Sequence, residues 1–314
     1  MTPALVALSL ALATLVVAVA IGSTLAAVGL RLRDTAAFAR LGARTRASLL
    51  AQLRLAPAAV LLPLIAAVQV AFWRYEPAHG GERLGPLLLV LVAVGAVVAL
   101  RSTRRLLAAL RVTRRVRRQW HHAGRHIEIQ GWSGAAYRVD ADFPVVAMVG
   151  IWRPELFVAS RVAAACSPHE IAVVAAHERA HVAARDNLTR AAFEITPLPS
   201  RLAARLELAW AAAAEEAADL SARAGGSGVA LASALLKVAN LALPDAPPRL
   251  ILASALIGAG GLETRVRRLL VPPPALGRPA WWVTAACMAA LAAAAVPALP
   301  RVYQAAEFVV AFGR

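Results

Sequence analysis

His177 and His181 stand four residues apart in the run His177-Glu178-Arg179-Ala180-His181. On a helix, residues at this spacing lie one above the other on one face, so both imidazoles reach a single metal ion. The glutamate beside the first histidine then points at a metal-bound water, where it can take a proton. At this chain's own His and Glu frequencies, the HExxH pattern arises by accident on the order of 1% of the time. The bland alternative is a surface helix with two solvated histidines.

A catalytic zinc takes three protein ligands and keeps one position open for water. His79, His121, His122, His126 and His169 are poorly placed to be the third ligand: His169 begins the same helix, and the rest precede the site by long stretches. The run Trp210 to Asp219 is better, because Glu215, Glu216 and Asp219 sit among alanines and leucines. Carboxylates in such surroundings cost several kcal/mol unless they are paired or bind a metal. Glu215 and Asp219, four apart, share a helix face. Glu215 is expected as the third ligand and Asp219 as the acceptor orienting a ligating histidine, with Glu216 the alternative ligand. If the helix were exposed, all three would simply solvate it.

The expected chemistry is hydrolysis of a peptide bond. His177, His181 and Glu215 would hold Zn²⁺, which lowers the pKa of its water and polarises the scissile carbonyl. Glu178 would accept the water's proton and deliver it to the leaving amine. Arg223, one turn beyond Asp219, is a weak candidate for stabilising the oxyanion and equally well a surface residue. An extended substrate could add to an exposed edge of the strand near Val145–Val149.

These residues need a scaffold, and the sequence marks its elements. Ser167, Pro168 and Glu170 supply a hydroxyl N-cap, a proline at the first helical position and the acid of a capping box. A helix is expected from about Pro168 to about Arg185. Upstream, the patterns His126 to Gln130, Ala136 to Asp140, Val145 to Val149 and Leu156 to Val158 read as strands. Downstream, Pro197 and Pro199 interrupt helical sequence, Gly225-Gly226-Ser227-Gly228 ends the Glu215 helix, and Ala230 to Leu243 is a further helix closed by the prolines of 244–248. The prolines at 272–274 form a stiff linker.

HExxH followed some thirty residues later by ExxxD resembles the membrane gluzincins. These include the HtpX-like and CAAX-processing endopeptidases and the BlaR/MecR-type antirepressor metallopeptidases. The resemblance places the third ligand on Glu215 rather than Glu216. The segment Phe143 to Ser160 looks like the β-hairpin preceding the motif helix in the BlaR/MecR-type group, and Arg185-Asp186-Asn187 after His181 fits the same group. The likeness runs from about Ala123 to Leu243. It implies a zinc endopeptidase of the bacterial plasma membrane acting on a protein substrate, with a transcriptional repressor as one such target. That group carries an extracellular sensor module after its last span, which residues 301–314 are too short to form. A β-lactam sensor is therefore not expected.

Composition agrees with a membrane protein: 60% of residues are hydrophobic and the mean hydropathy is +0.62. Uncharged runs predict spans at about 2–30, 55–73, 84–100 and 279–300. The first is too long for a signal-peptide core and lacks a basic n-region, so it is expected to be retained. Trp73, Tyr75, Trp281 and Trp282 suit interfacial positions. Arg31 to Arg54 and Arg101 to Arg118 crowd the loops after the first and third spans, whereas Arg74 and Arg83 are balanced by Glu76 and Glu82. The positive-inside rule then puts the N-terminus outside. The expected class is an α-helical integral membrane protein with an inserted α+β zincin-like cytoplasmic domain. Its parts are residues 1–119 with three spans and basic loops, the metallopeptidase domain 120–276, and 277–314 with the fourth span and a short extracytoplasmic tail.

The net charge of +16 lies mostly beside the spans, where topology and anionic headgroups account for it, so no direct nucleic-acid partner is expected. Cys166 and Cys287 fall on different sides of the membrane boundary; no disulfide is expected, and both read as small buried apolar residues. The functional expectation is a regulatory protease of antirepressor type. The alternatives are an HtpX-like quality-control endopeptidase and a membrane scaffold that keeps zinc for structure; an intact Glu178 argues against the scaffold.

Overall fold

The computed structural model describes residues 2–75, 85–140, 146–224, 228–241, 253–255, 261–271 and 276–311. His79, the loop charges Glu76, Glu82 and Arg83, the hairpin start at 143–145, Gly225-Gly226-Ser227 and the prolines of 244–248 and 272–274 lie outside the described residues.

The chain opens with α1 (Pro3–Leu32), α2 (Ala36–Ala39), α3 (Ala43–Arg54), α4 (Ala56–Tyr75) and α5 (Pro86–Ala123). Three of these, α1, α4 and α5, are long and apolar enough to cross a membrane. They pack closely through small residues: a Cβ on Gly22 would collide with the backbone of Pro57, so α1 and α4 approach main chain to main chain. The expected third span, 84–100, is only the first part of a longer helix. The arginine-rich stretch read as a loop continues α5 to Ala123, because Arg101 to Arg118 contains neither glycine nor proline to stop it. Likewise the basic segment after α1 is largely helical, and Arg54, read there only as a topology signal, is a fully buried anchor. It donates to Glu207 Oε1 (2.7 Å), the Thr196 carbonyl (3.0 Å) and the Phe193 carbonyl (2.7 Å).

A mixed sheet follows, made of β1 (Arg125–His126), β2 (Ala136–Val139), β3 (Val146–Val149), β4 (Glu155–Ala159) and, much later in the chain, β5 (Ala253–Ala255). The spatial order is β1-β2-β4-β3-β5. β3 and β4 form an antiparallel hairpin in which Val149 faces Glu155, turning at Gly150 with φ +120°, a conformation that favours glycine. The strand expected over His126–Gln130 shortens to two residues, since Trp132 N–H donates to the Ile129 carbonyl and the chain turns at Gly131.

Between β4 and β5 run α6 (Ser160–Ala165), α7 (Pro168–Ala184), α8 (Asp186–Ile195), α9 (Ser200–Ala224) and α10 (Gly228–Leu241); α11 (Leu262–Leu270) and α12 (Trp281–Ala311) complete the chain. The fourth expected span, about 279–300, begins two residues before α12, of which only Trp281–Leu291 forms a shorter apolar stretch. Among the described residues α12 is not one of the helices long and apolar enough to cross a membrane. The main core joins the sheet to α7 and α10 through Phe157, Met148, Val173, Val174, Leu231 and Leu235. Cys166 is buried in it, whereas Cys287 is exposed on α12, contrary to the expectation that both are buried. A second core joins α9 to α1, α3 and α8: Leu206 and Trp210 meet Leu30, Leu50 and Phe193. The helix carrying Glu215 thus bridges the sheet domain and the spans.

The capping box of α7 forms as the sequence predicts. Ser167 Oγ accepts from the Glu170 N–H at 3.2 Å, and Glu170 Oε2 accepts from the Ser167 N–H at 2.7 Å. Glu170 also accepts from Ser233 (2.6 Å) and Lys237 (2.7 Å), clamping α7 to α10. Burial works against its charge, but Lys237, Ser233 and Ser167 together hold its pKa down at about 2. A depressed carboxylate stabilises the fold above its unfolded pKa and loses that contribution as pH falls through the folded value. Glu170→Gln should therefore cost about 1.5–3 kcal/mol at neutral pH. The gap between variant and wild type should close as pH falls from about 4.5 toward 2, read as thermal unfolding in detergent. A gap independent of pH would show that the charge is not what clamps the helices.

Candidate metal centre

α7 brings its two histidines into register. Their Nε2 atoms lie 3.2 Å apart, and both rings are buried, His177 at 0% and His181 at 3% exposure. α9 crosses α7 and delivers Glu215, also 3% exposed, with Oε2 3.5 Å from His177 Nε2 and Oε1 3.6 Å from His181 Nε2. Donor atoms of these three residues all lie within 4.8 Å of one another. A tetrahedral ion with bonds of about 2.0–2.2 Å separates its ligand atoms by about 3.3–3.5 Å, so this set of two nitrogens and an oxygen fits a zinc-sized cation. Glu216, the alternative ligand, points elsewhere: its oxygens accept from Arg46 (2.6 Å) and Arg268 (2.7 Å).

Each histidine is held from behind by a carboxylate. His177 Nδ1 sits 3.0 Å from Asp219 Oδ1, the contact expected of a residue one turn after Glu215. His181 Nδ1 sits 2.6 Å from Asp186 Oδ2, a partner the sequence reading did not assign. Such pairs place the proton on Nδ1 and leave the Nε2 lone pair toward the cation. Asp186 reaches His181 because Arg185 adopts the left-handed conformation (φ 57°), which ends α7 and folds α8 back within a single residue. That conformation costs a non-glycine residue about 1–3 kcal/mol and persists where surrounding contacts enforce it. Asn187 supplies such contacts, donating to the Gly150 carbonyl (2.8 Å) and the Met148 carbonyl (3.2 Å) and so tying α8 to the hairpin.

Electrostatically the pocket calls for positive charge. Burial alone would raise the carboxyl pKa values, but the imidazoles of His181 and His177 and the Arg265 guanidinium keep Glu215 ionised, at about 2. Asp219 is held at about 2 against burial by His177 and Arg265. Burial opposes a charge on His177, yet Asp219 and Glu215 outweigh it and lift the imidazole to about 10. A divalent cation answers the same field, in competition with protons. Glu178 is fully buried beside His177. Burial opposes the charge of Arg265, but Asp219, Glu215 and, least, Glu178 outweigh it and raise its pKa.

Several expected roles change. Arg223 does not face the centre; its guanidinium donates to the Arg268 and Val271 carbonyls and closes the C-terminal end of α11. The outer edge of β3, expected to be open for an extended substrate, is paired antiparallel with β5, Met148 opposite Ser254. Arg265, which no spacing rule singles out, donates to both Asp219 oxygens. A cavity of about 540 Å³ borders His181 and is walled by Arg44, Leu55, Trp210 and Trp281.

Two histidines and a glutamate around one point, with a buried glutamate beside them, form a group that could hold a metal ion. Residues 111–244 match the model of peptidase family M48. The matched residues include all four members of the centre and both carboxylates behind the histidines. No curated protein and no solved structure matches the chain significantly.

Proposed function

We propose that the protein is a membrane-bound, zinc-dependent endopeptidase that cuts a cytoplasmic protein in a regulatory pathway. The observation that supports this most directly is the convergence of His177, His181 and Glu215 beside a buried Glu178. When bound, zinc supplies Lewis acidity at the scissile carbonyl and an activated water. The chain supplies the rest. Asp219 and Asp186 orient the two ligating imidazoles, Glu178 accepts the proton of the water and returns it to the departing amine, and burial of the site strengthens these interactions by excluding water.

The arginine asymmetry between loops supports a topology with the N-terminus outside and the domain, with its bridge from α9 to the spans, on the cytoplasmic side. The bilayer and a protein substrate are then the partners, and a transcriptional repressor is the candidate target. The test compares new protein N-termini in cells expressing wild type and Glu178→Gln. A few termini unique to wild type and concentrated in one cytoplasmic protein are expected, and they name the target. Scattered termini across many membrane proteins would replace the regulatory reading with quality control. Identical profiles would argue against proteolysis under those conditions.

A further inference from the structure

The two acidic residues of the ExxxD element share a partner from a distant part of the chain. Arg265 of α11 is 6% exposed and grips Asp219 with a fork: Nε to Oδ2 at 2.9 Å and Nη2 to Oδ1 at 2.7 Å. A guanidinium is planar and rigid, so fixing two of its nitrogens fixes the third. That third nitrogen, Nη1, lies 3.1 Å from Glu215 Oε2. The same Asp219 oxygen that receives Nη2 lies 3.0 Å from His177 Nδ1. One guanidinium therefore touches the carboxylate behind a ligating histidine and the ligating carboxylate itself. α11 is seated independently of it, through buried Leu269 and the Arg268–Glu216 pair.

We propose that Arg265 is a positioning residue of the metal centre: it locks Asp219 behind His177 and engages one oxygen of Glu215, so that Glu215 offers the ion a single oxygen. The consequence is chemical. A carboxylate free to turn can bind an ion through both oxygens and fill the position that a catalytic zinc keeps for water. The charge of Arg265, 3.1 Å from Oε2, draws that oxygen toward the guanidinium, which favours Oε1 as the ligand and keeps the water position open. A lysine keeps the charge but offers a point donor in place of the fork, so it cannot hold both acids in this geometry.

The inference rests on reading His177, His181 and Glu215 as a metal centre, and the test separates the two. The full chain in detergent is loaded with Co²⁺, whose visible absorption is strong in four-coordinate sites and weaker as coordination number rises. Wild type should give the strong band. Arg265→Gln and Arg265→Lys should each bind one equivalent of Co²⁺ with a weakened, shifted band, as Glu215 turns to bind through both oxygens. A band unchanged in both variants, accompanied only by a lower Tm, would overturn the proposal and leave Arg265 a structural clamp. If the glutamine variant does not fold, the lysine variant decides alone by the same criterion. Failure of wild type to take up Co²⁺ would instead remove the metal centre, and the role of Arg265 with it.

Discussion

Glu178→Gln should lower the turnover of any peptide that the wild type cleaves by about 10²–10⁴-fold, the range lost with a positioned general base. Bound metal should stay near one equivalent, since none of the proposed ligands is touched. Stability should hold as well. Glu178 is fully buried in a pocket that already contains ionised Glu215 and Asp219, so an isosteric neutral amide adds no volume and removes a negative charge from a negative site. Metal content, Tm and cleavage measured on one preparation separate these effects. Turnover within a few-fold of wild type would remove Glu178 from the mechanism, and loss of metal would assign it a structural role instead.

The adjacent acids Glu215 and Glu216 offer the sharpest contrast in the molecule. Glu215→Gln should lose most bound zinc at neutral pH. It should also destabilise the fold by about 1–3 kcal/mol, because His177 and Arg265 lose one of their two buried counter-charges while Asp219 remains. Glu216→Gln should keep its metal. Its partners are the half-buried Arg46 and the exposed Arg268, so its loss should cost about 1 kcal/mol or a little more. Elemental analysis after exhaustive dialysis, with thermal unfolding in parallel, reads both quantities. Equal metal retention in the two variants would exclude Glu215 as a ligand.

What the sequence revealed of this site, it revealed through helical periodicity. His177 and His181, and likewise Glu215 and Asp219, are four apart, and helix geometry turns that spacing into a shared face without knowledge of the rest of the fold. The Ser167–Glu170 capping box is equally local, which is why the start of α7 is placed correctly. Asp186 is only five residues beyond His181, yet its role depends on the left-handed Arg185, a conformation that nothing in arginine favours. Arg265 lies 46 residues after Asp219, across segments with no periodic relation to α9, so only tertiary structure brings it in. The pairing of the β3 edge is hidden from the sequence for a similar reason: β5 comes from far downstream, and its three residues are too few to show a strand pattern. The arginines of α5 were read as loop because charge was taken as a membrane boundary, but a charged helix needs no apolar face to continue.

That continuity has a mechanical side. α5 runs unbroken for 38 residues, about 57 Å at the usual helical rise. One end lies among α1 and α12, where Leu88 joins Leu10, Phe72 and Val310. The other end carries Trp120 edge-on against Phe157, 5.4 Å between ring centres, and Arg117 paired through two bonds with Glu155. Phe157 and Glu155 belong to β4, whose hairpin partner β3 contacts α7. Pivoting such a rod by about 10° at its membrane end moves the other end by about 10 Å. A load on the apolar end of α5 is thereby applied to the strand pair beside the histidine helix through one continuous helix.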